Sequence, residues 1–141
     1  MKPLQTNIAP SPTVLVVDDG PGQVDLLTRF LTQQGISILS ACNGRQCLEK
    51  IQTASVDTII LDVLIPKVTG LEVCRVLRGK GATRKIPIII LTATDDPETR
   101  QAGRQLGVEA FLVKPVSGKE LLAHVQAHIN GAKAWEHKRH H

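Results

Sequence analysis

Short apolar runs alternate along the chain with segments in which apolar residues recur every three or four positions. The apolar runs are candidate strands, and they occupy residues 14–17, 36–41, 58–61, 86–91 and 110–113. The helical spacing predicts helices over residues 23–34, 43–51, 69–78, a segment that begins at 96, and 117–130. Five successive βα units of this kind predict an α/β fold, with a parallel sheet and helices on both of its faces.

The composition of the strands also predicts their order in the sheet. Four of the runs are almost uninterrupted apolar stretches, which is typical of strands buried on both faces. The second run is interrupted by Ser37 and Ser40, as expected of an edge strand. Right-handed crossovers leave few arrangements, and 2-1-3-4-5 is the common doubly wound order for five strands. We therefore predict a flavodoxin-like (βα)5 three-layer sandwich.

Length and composition exclude several classes of protein. The 141 residues suit one domain and are too few for two ordinary ones. Aromatic residues make up only 2%, which disfavours a protein that stacks nucleic-acid bases on aromatic side chains. No apolar run approaches the ~20 residues of a membrane span. The first residues also lack the apolar core of a secretion signal.

The three cysteines, Cys42, Cys47 and Cys74, indicate neither disulfides nor zinc. They are odd in number and contain no CxxC pair, which argues against a disulfide framework and against a zinc site. Packing in the apolar core is the expected role of all three. A reducing cytoplasm is therefore the expected compartment.

The chain divides into a folded region and two flanks. Residues 1–13 contain three prolines and predict a flexible leader, 14–131 form the domain, and 132–141 are a helix extension, a linker or a cloning-derived tail. Residues 14–131 carry 13 basic and 12 acidic residues, so most of the net charge of +4 lies in the flanks. A nearly neutral domain gives no reason to expect direct binding of nucleic acid.

Polar residues follow the strands at the edge where such sheets bind ligands. Asp18 and Asp19 come after the first strand, Asp62 after the third, Thr92 ends the fourth and Lys114 follows the fifth. In an open α/β sheet, ligands bind beyond the carboxyl ends of the strands, where the strand order reverses. We expect these five side chains to converge there.

Three converging carboxylates need a cation between them. Mg²⁺, bound by one or two carboxylates, a carbonyl and several waters, is a natural partner. Lys114 can neutralise a further negative group and Thr92 can donate a hydrogen bond to it, an arrangement that suits phosphoryl transfer to an aspartate. Each feature alone is common in turns and helix caps. Their joint placement at four strand ends is what favours a site.

Several sequence motifs together resemble the receiver domain of two-component response regulators. The resemblance covers residues 13–131, nearly all of the folded chain. It rests on Leu15-Val16-Val17-Asp18-Asp19, Leu61-Asp62-Val63-Leu64-Ile65-Pro66-Lys67-Val68-Thr69-Gly70, Leu91-Thr92-Ala93 and Phe111-Leu112-Val113-Lys114-Pro115, which occur in the order and spacing of that family.

The resemblance implies a phosphoacceptor and a metal site. Asp62 would accept the phosphoryl group. Asp19 and Asp62, with the backbone carbonyl of Leu64, would ligate Mg²⁺, or Mn²⁺ in its place, and Asp18 would contribute through water.

The same resemblance implies how a phosphoryl group would be sensed. Thr92 and Lys114 would contact the phosphoryl group, and the Lys114–Pro115 peptide bond would be cis. Phe111 would be an aromatic switch residue, drawn inward when Thr92 moves towards the phosphate.

Gly20 departs from the family pattern, and Leu64 occupies a position that varies within the family. Gly20 stands where a third acidic or polar residue is frequent, which removes an outer helper but no ligand. Leu64 lies two residues after Asp62, and its apolar side chain cannot orient an attacking water. We therefore predict slow self-dephosphorylation. Leu64 also occupies the position where a phosphatase of the haloacid-dehalogenase type has a second aspartate.

These features predict a phosphorylation-dependent signalling switch that does not turn over as an enzyme. A sensor histidine kinase or a histidine phosphotransfer protein would supply the phosphoryl group. The surface of the fourth helix, fifth strand and fifth helix would bind an output domain, a partner or a second copy of the chain. Two alternatives stay open: an interaction module independent of phosphorylation, and a metal-dependent hydrolase. The sequence also leaves open whether the domain acts alone or within a longer protein.

Overall fold

The computed structural model describes residues 11–65 and 69–139, and for residues 21–24 and 130–139 it describes the backbone alone. Two segments lie outside the described residues: residues 1–10, which are most of the predicted leader, and residues 66–68 of the motif 61–70 that follows the third strand. The predicted domain boundaries stay predictions.

Five strands and five helices alternate along the described chain. The strands are β1 (Thr13–Val17), β2 (Ser37–Ala41), β3 (Thr58–Leu61), β4 (Ile88–Thr92) and β5 (Ala110–Val113). The helices are α1 (Pro21–Gln33), α2 (Gly44–Thr53), α3 (Gly70–Arg78), α4 (Pro97–Gln105) and α5 (Gly118–Arg139). None of the described helices is long and apolar enough to cross a membrane.

The strands form one parallel sheet in the order β2-β1-β3-β4-β5. This confirms the predicted doubly wound fold. In the register of the sheet, Val17 at the end of β1 lies between Ala41 of β2 and Leu61 of β3. The carboxyl ends of β1 and β3 are therefore adjacent, and the strand order reverses there.

Alternate residues of the strands supply two apolar cores, one on each face of the sheet. Leu15 of β1 and Ile90 of β4 belong to the core that includes buried residues of α2 and α3. Val16 and Leu91 belong to the other core, with buried residues of α1 and α5. Because side chains alternate along a strand, nearly continuous apolar runs are what two-sided burial requires.

Side-chain caps fix where three of the helices begin. Asn43 accepts a hydrogen bond from the backbone N–H of Gln46, and Asp96 accepts one from that of Thr99. Thr69 and Glu72 form a reciprocal capping box at the start of α3. Each cap satisfies N–H groups that lack a partner within the helix.

The fourth strand begins later than predicted, and the last helix extends well beyond its predicted end. The strand predicted from residue 86 begins at Ile88, because Pro87 has no N–H to donate to a neighbouring strand. The last helix continues past residue 130 to Arg139, since the segment after Gly131 is rich in helix-forming residues.

Strand β5 is less buried than its apolar sequence predicts. All of its residues are half-buried, because β5 is the sheet's second edge strand. The neighbouring helix α4 is polar, and among its residues only Gly103 is buried. This side of the molecule is therefore the least tightly packed part of the described fold.

The prediction that the cysteines pack in the core is confirmed for two of the three. Cys47 and Cys74 are buried, and desolvation raises the pKa of their thiols to about 12 and about 11. For Cys42 the prediction is wrong, because its side chain is exposed just after the edge strand β2.

Arg78, at the end of α3, joins two loops at the amino-terminal edge of the sheet, the one before β4 and the one before β5. Its side chain is only 17% exposed. Its guanidinium donates hydrogen bonds of 2.8–3.1 Å to the backbone carbonyls of Arg84, Ile86, Leu106 and Gly107. It also pairs with Glu109 at 3.3 Å, and that carboxylate accepts a bond from the N–H of Ile88. A planar fork of donors suits this position better than a lysine would.

We predict that Arg78→Met lowers the free energy of unfolding by about 1–3 kcal/mol, because four backbone carbonyls, two of them in part-buried bonds, and the carboxylate of Glu109 lose a partner. Urea denaturation measures the change. The control is Arg75→Met on the exposed side of the same helix, which we expect to cost no more than about 0.5 kcal/mol. Equal losses in the two variants would contradict the role of Arg78.

Candidate functional site

Asp18 and Asp62 lie side by side at the carboxyl edge of the sheet. Each follows the last residue of its strand, β1 or β3. The N–H of Asp18 donates to the carbonyl of Ala41, and that of Asp62 to the carbonyl of Val17, so the strand ladder extends into the site. The backbone of the sheet thus fixes both carboxylates.

Lys114 bridges the two carboxylates. Its Nζ lies 2.5 Å from Asp18 Oδ2 and 3.1 Å from Asp62 Oδ2. The Lys114 side chain is 12% exposed, and those of the two aspartates are 8% exposed. The peptide bond from Lys114 to Pro115 is cis, as the resemblance implies.

The surroundings of Lys114 keep it charged. Burial by itself would lower the pKa of its ammonium group. Hydrogen bonds to Asp18 and Asp62, with the attraction of both charges, outweigh burial and raise this pKa above its ordinary value. The stabilisation by the charged form is therefore complete at neutral pH and is lost only when the pH rises through the raised pKa.

The remaining oxygen of each carboxylate is held by a turn. Leu64 N–H donates to Asp62 Oδ1 at 2.9 Å, and Gly20 N–H donates to Asp18 Oδ1 at 2.7 Å. Such bonds to the residue two positions on are characteristic of aspartate turns. Both carboxylates are therefore oriented before any ligand binds.

Gly70 allows α3 to begin directly against the backbone of Asp62. A Cβ atom on Gly70 would lie 2.6 Å from the carbonyl oxygen of Asp62 and 2.5 Å from Cα of Val63. No other residue fits so close an approach. Gly70 thus fixes the path of the loop after β3 that carries Asp62, the candidate phosphoacceptor.

Thr92 contributes a buried hydroxyl group without a partner. The residue is fully buried at the end of β4, and its Oγ1 makes no hydrogen bond to any described group. Its backbone carbonyl accepts a bond of 2.8 Å from the N–H of Lys114, which ties the ends of β4 and β5 together. An unsatisfied buried hydroxyl is costly, so this one is a candidate ligand-binding group.

The structure does not bring Asp19 into the cluster around Lys114. Asp19 is exposed and lines an open cavity of about 350 Å³ on the β2 side, together with Asp25 and Cys42, and Asp18 lines the same cavity. The side chain of Leu64 is also exposed, at 58%. Across residues 11–65 and 69–139, no three His, Cys, Asp or Glu side chains are close enough to form a metal site by themselves.

Phe111 lies in β5 opposite Ile90 of β4, so one strand separates it from β3, which carries Asp62. It is half-buried, and the guanidinium of Arg100 lies over its ring. Sequence reasoning missed Arg100 and its partner Asp95, since a polar helix gives no periodic signal that points to either residue.

The donor groups of the site fit Mg²⁺. The converging side chains offer only oxygen ligands, and Mg²⁺ is usually held by one or two carboxylates with waters completing the shell. Asp18 and Asp62 already converge on one cation, the ammonium of Lys114. The orphaned hydroxyl of Thr92 adds a donor for an anionic group.

Family and sequence comparisons both identify response regulators as the relatives of this chain. Residues 14–126 match the family model of the response regulator receiver domain. The response regulator MprA of Mycobacterium tuberculosis is 40% identical over 120 residues, which cover 85% of this chain and 51% of that protein. The chain spans about half the length of the curated relatives it matches.

Solved structures share the fold closely. The receiver domain of a signal transduction histidine kinase from Syntrophus aciditrophicus is 32% identical, with a TM-score of 0.81 over 87% of this chain and 93% of that one. The receiver domain of the sensor histidine kinase PA1611 from Pseudomonas aeruginosa is 27% identical, with a TM-score of 0.78 over 85% and 98%. That structure contains a magnesium ion coordinated in its active site cleft.

We predict that Thr92→Val raises the free energy of unfolding by about 1 kcal/mol, because it removes an unsatisfied buried hydroxyl. The matched control is Thr83→Val. Thr83 is also buried, but its hydroxyl donates to the carbonyl of Leu77 at 2.7 Å, so its loss should cost about 1 kcal/mol. Denaturation without metal or phosphodonor measures both. Destabilisation of both variants alike would show that the Thr92 hydroxyl has a structural partner.

Proposed function

The chain belongs to the response regulator receiver domain family, and on this basis we propose that Asp62 accepts a phosphoryl group from a histidine kinase or a histidine phosphotransfer protein. The observation that carries the proposal is the buried carboxylate of Asp62, fixed by Leu64 N–H and Lys114, together with the unpartnered hydroxyl of Thr92 at the end of the neighbouring strand β4. A nucleophile, a cation and a hydrogen-bond donor are the elements that phosphoryl transfer requires.

The transfer is a substitution at phosphorus. An oxygen of Asp62 attacks the phosphorus of a phosphohistidine, the phosphorus–nitrogen bond breaks, and an acyl phosphate forms while the histidine nitrogen leaves. The turn at Leu64 and the ammonium of Lys114 hold the carboxylate in one orientation, so little conformational entropy is lost on reaching the transition state.

Mg²⁺ fits this proposal as the cofactor, with Mn²⁺ as its substitute. Asp62, Asp19 and the backbone carbonyl of Leu64 would hold it, with Asp18 contributing through water. When bound, the ion neutralises negative charge on the transferring phosphoryl group. Asp19 is exposed beside the cluster, so it is accessible to an ion arriving from solvent.

After the transfer, Lys114 and Thr92 respond to the new dianion. The ammonium pairs with a phosphoryl oxygen, and the hydroxyl of Thr92 donates to another, which gives this buried group its missing partner. The movement of Thr92 draws Phe111 inward and changes the surface of α4, β5 and α5. An output domain, a partner protein or a second copy of the chain binds that surface.

The protein acts as a switch and does not turn over substrate. Each molecule carries one phosphoacceptor, and its phosphorylated form is long-lived because the exposed, apolar Leu64 cannot orient an attacking water. The signal therefore persists long enough for a partner to bind. An interaction module that never uses Asp62 is the alternative, and the same phosphorylation experiment separates the two.

The test is exposure of the full chain to a small phosphodonor with Mg²⁺, followed by mass spectrometry of the intact protein and its peptides. We expect a gain of one phosphoryl group at Asp62 that decays over much longer than seconds. Asp62→Asn should gain nothing, and chelation of the metal should abolish the reaction. The control is Asp25→Asn, an exposed acid near the site, which should react like the wild type.

Absence of any mass gain at Asp62 in the wild type would contradict the proposal. A gain that proceeds equally well in Asp62→Asn would place the acceptor elsewhere.

A further inference from the structure

One side chain, that of Arg100 in α4, contacts both Phe111 and the loop after Thr92. Its guanidinium carbon lies 4.7 Å from the centroid of the Phe111 ring. Its Nε and Nη2 donate to Asp95 Oδ1 at 3.2 and 2.5 Å. Asp95 lies three positions after Thr92, in the short segment that joins β4 to α4. Arg100 thus connects the loop that starts at the site to the ring on β5.

The other residues of α4 make few contacts that could link the loop after Thr92 to the ring of Phe111. Of its residues only Gly103 is buried, and a Cβ there would lie 3.3 Å from the side chain of Ile90, 3.4 Å from that of Val108 and 3.7 Å from the ring of Phe111. The helix therefore rests on the sheet through a glycine and lacks a large apolar anchor. A helix with so little apolar burial can shift at low free-energy cost. The contact between Arg100 and Phe111 therefore contributes a large part of what fixes the position of α4 relative to the ring.

The register of β4 and β5 places Phe111 close to Thr92. Phe111 is opposite Ile90, and Thr92 is opposite Val113, so both Phe111 and Thr92 point to the same face of the sheet. They are diagonal neighbours across two adjacent strands, which is within reach of an aromatic side chain. A movement of Thr92 towards the carboxylates therefore changes the space beside the ring.

We propose that Arg100 is a positioning residue that holds Phe111 in its half-buried position in the unphosphorylated protein, with Asp95 holding the guanidinium over the ring. This inference rests on the proposed function, because it assigns a resting state to the same switch. When Thr92 moves, the segment carrying Asp95 moves with it, the ring turns inward, and both contacts of Arg100 are lost.

The contacts of Arg100 oppose activation because they exist in one of the two states. A residue that stabilises only the resting state lowers the population of the active one, and its removal raises that population. A ligand that binds the active state then binds with a higher apparent affinity. Beryllofluoride, which imitates a phosphoryl group on an aspartate, is such a ligand.

The low aromatic content of the chain provides a direct probe. Phe30 and Phe111 are its two phenylalanines, so protein labelled with 4-fluorophenylalanine gives one ¹⁹F signal for each. A Phe30→Leu form assigns them. The signal of Phe111 is recorded with and without beryllofluoride and Mg²⁺ in the wild type, Arg100→Gln, Asp95→Asn and Arg104→Gln. Arg104 is the matched control, because it lies one turn further along α4 and its side chain bonds to Gln101.

We expect the Phe111 signal of ligand-free Arg100→Gln to lie part of the way towards its position in the beryllofluoride complex. Its apparent affinity for beryllofluoride should rise about threefold to tenfold, the range that loss of one cation–π contact and one exposed ion pair supports. Asp95→Asn should change both quantities in the same direction but less. Arg104→Gln should match the wild type.

The outcomes separate this inference from the function on which it rests. If beryllofluoride moves the Phe111 signal of the wild type but Arg100→Gln behaves like the wild type, the role of Arg100 is wrong and the switch stands. A fall in affinity in Arg100→Gln would also overturn it, because a merely structural role predicts that direction. If beryllofluoride leaves the wild-type signal unmoved, the proposed switching of Phe111 itself fails.

Discussion

The parallel register of β1 and β3 forces the carboxylates of Asp18 and Asp62 together at the point where the strand order reverses. These two largely buried negative charges repel each other. The ammonium of Lys114 is the cation that holds them in place in the ligand-free protein. Lys114 directly follows β5, the edge strand that is separated from β1 by β3 and β4, so these four strands must be in register before this pairing can form. The fold and the site therefore depend on each other.

The two sides of the molecule differ in how tightly they are packed. The carboxylates are fixed by backbone donors and by the close approach of Gly70, so Asp62, the proposed phosphoacceptor, is held in one orientation. Beyond Thr92, by contrast, the sheet is covered by a polar helix and ends in a half-buried edge strand. A carboxylate pair with fixed geometry next to a loosely packed surface suits the proposed switch, because a small change at Thr92 can alter that surface.

Most of the fold could be predicted from the sequence because burial on two faces leaves a clear signal. The apolar runs and the interrupted second strand suffice for the strand order, and Asp96-Pro97 indicates the start of α4. The same rule also predicted Cys42 to be buried, which is wrong: an apolar context does not reveal on which side of an edge strand a thiol lies.

The positions of the candidate site residues followed from the strand ends, but the contacts among them did not. That Lys114 bonds to Asp18 and Asp62 while Asp19 stays apart depends on side-chain directions that no sequence spacing records. The pairing of Arg100 with Phe111 brings together a helix and a strand, and only the three-dimensional structure shows it.

Lys114 neutralises the carboxylate pair of Asp18 and Asp62, and in the proposed function the same site binds a divalent cation. Titration calorimetry of Mg²⁺ against the wild type, Lys114→Met and Asp62→Asn tests it most directly. We expect Lys114→Met to bind Mg²⁺ at least about fivefold more tightly than the wild type, because a positive charge beside the ligands is gone. Asp62→Asn should bind more weakly. An unchanged or weaker affinity in Lys114→Met, or no binding by the wild type, would contradict the claim.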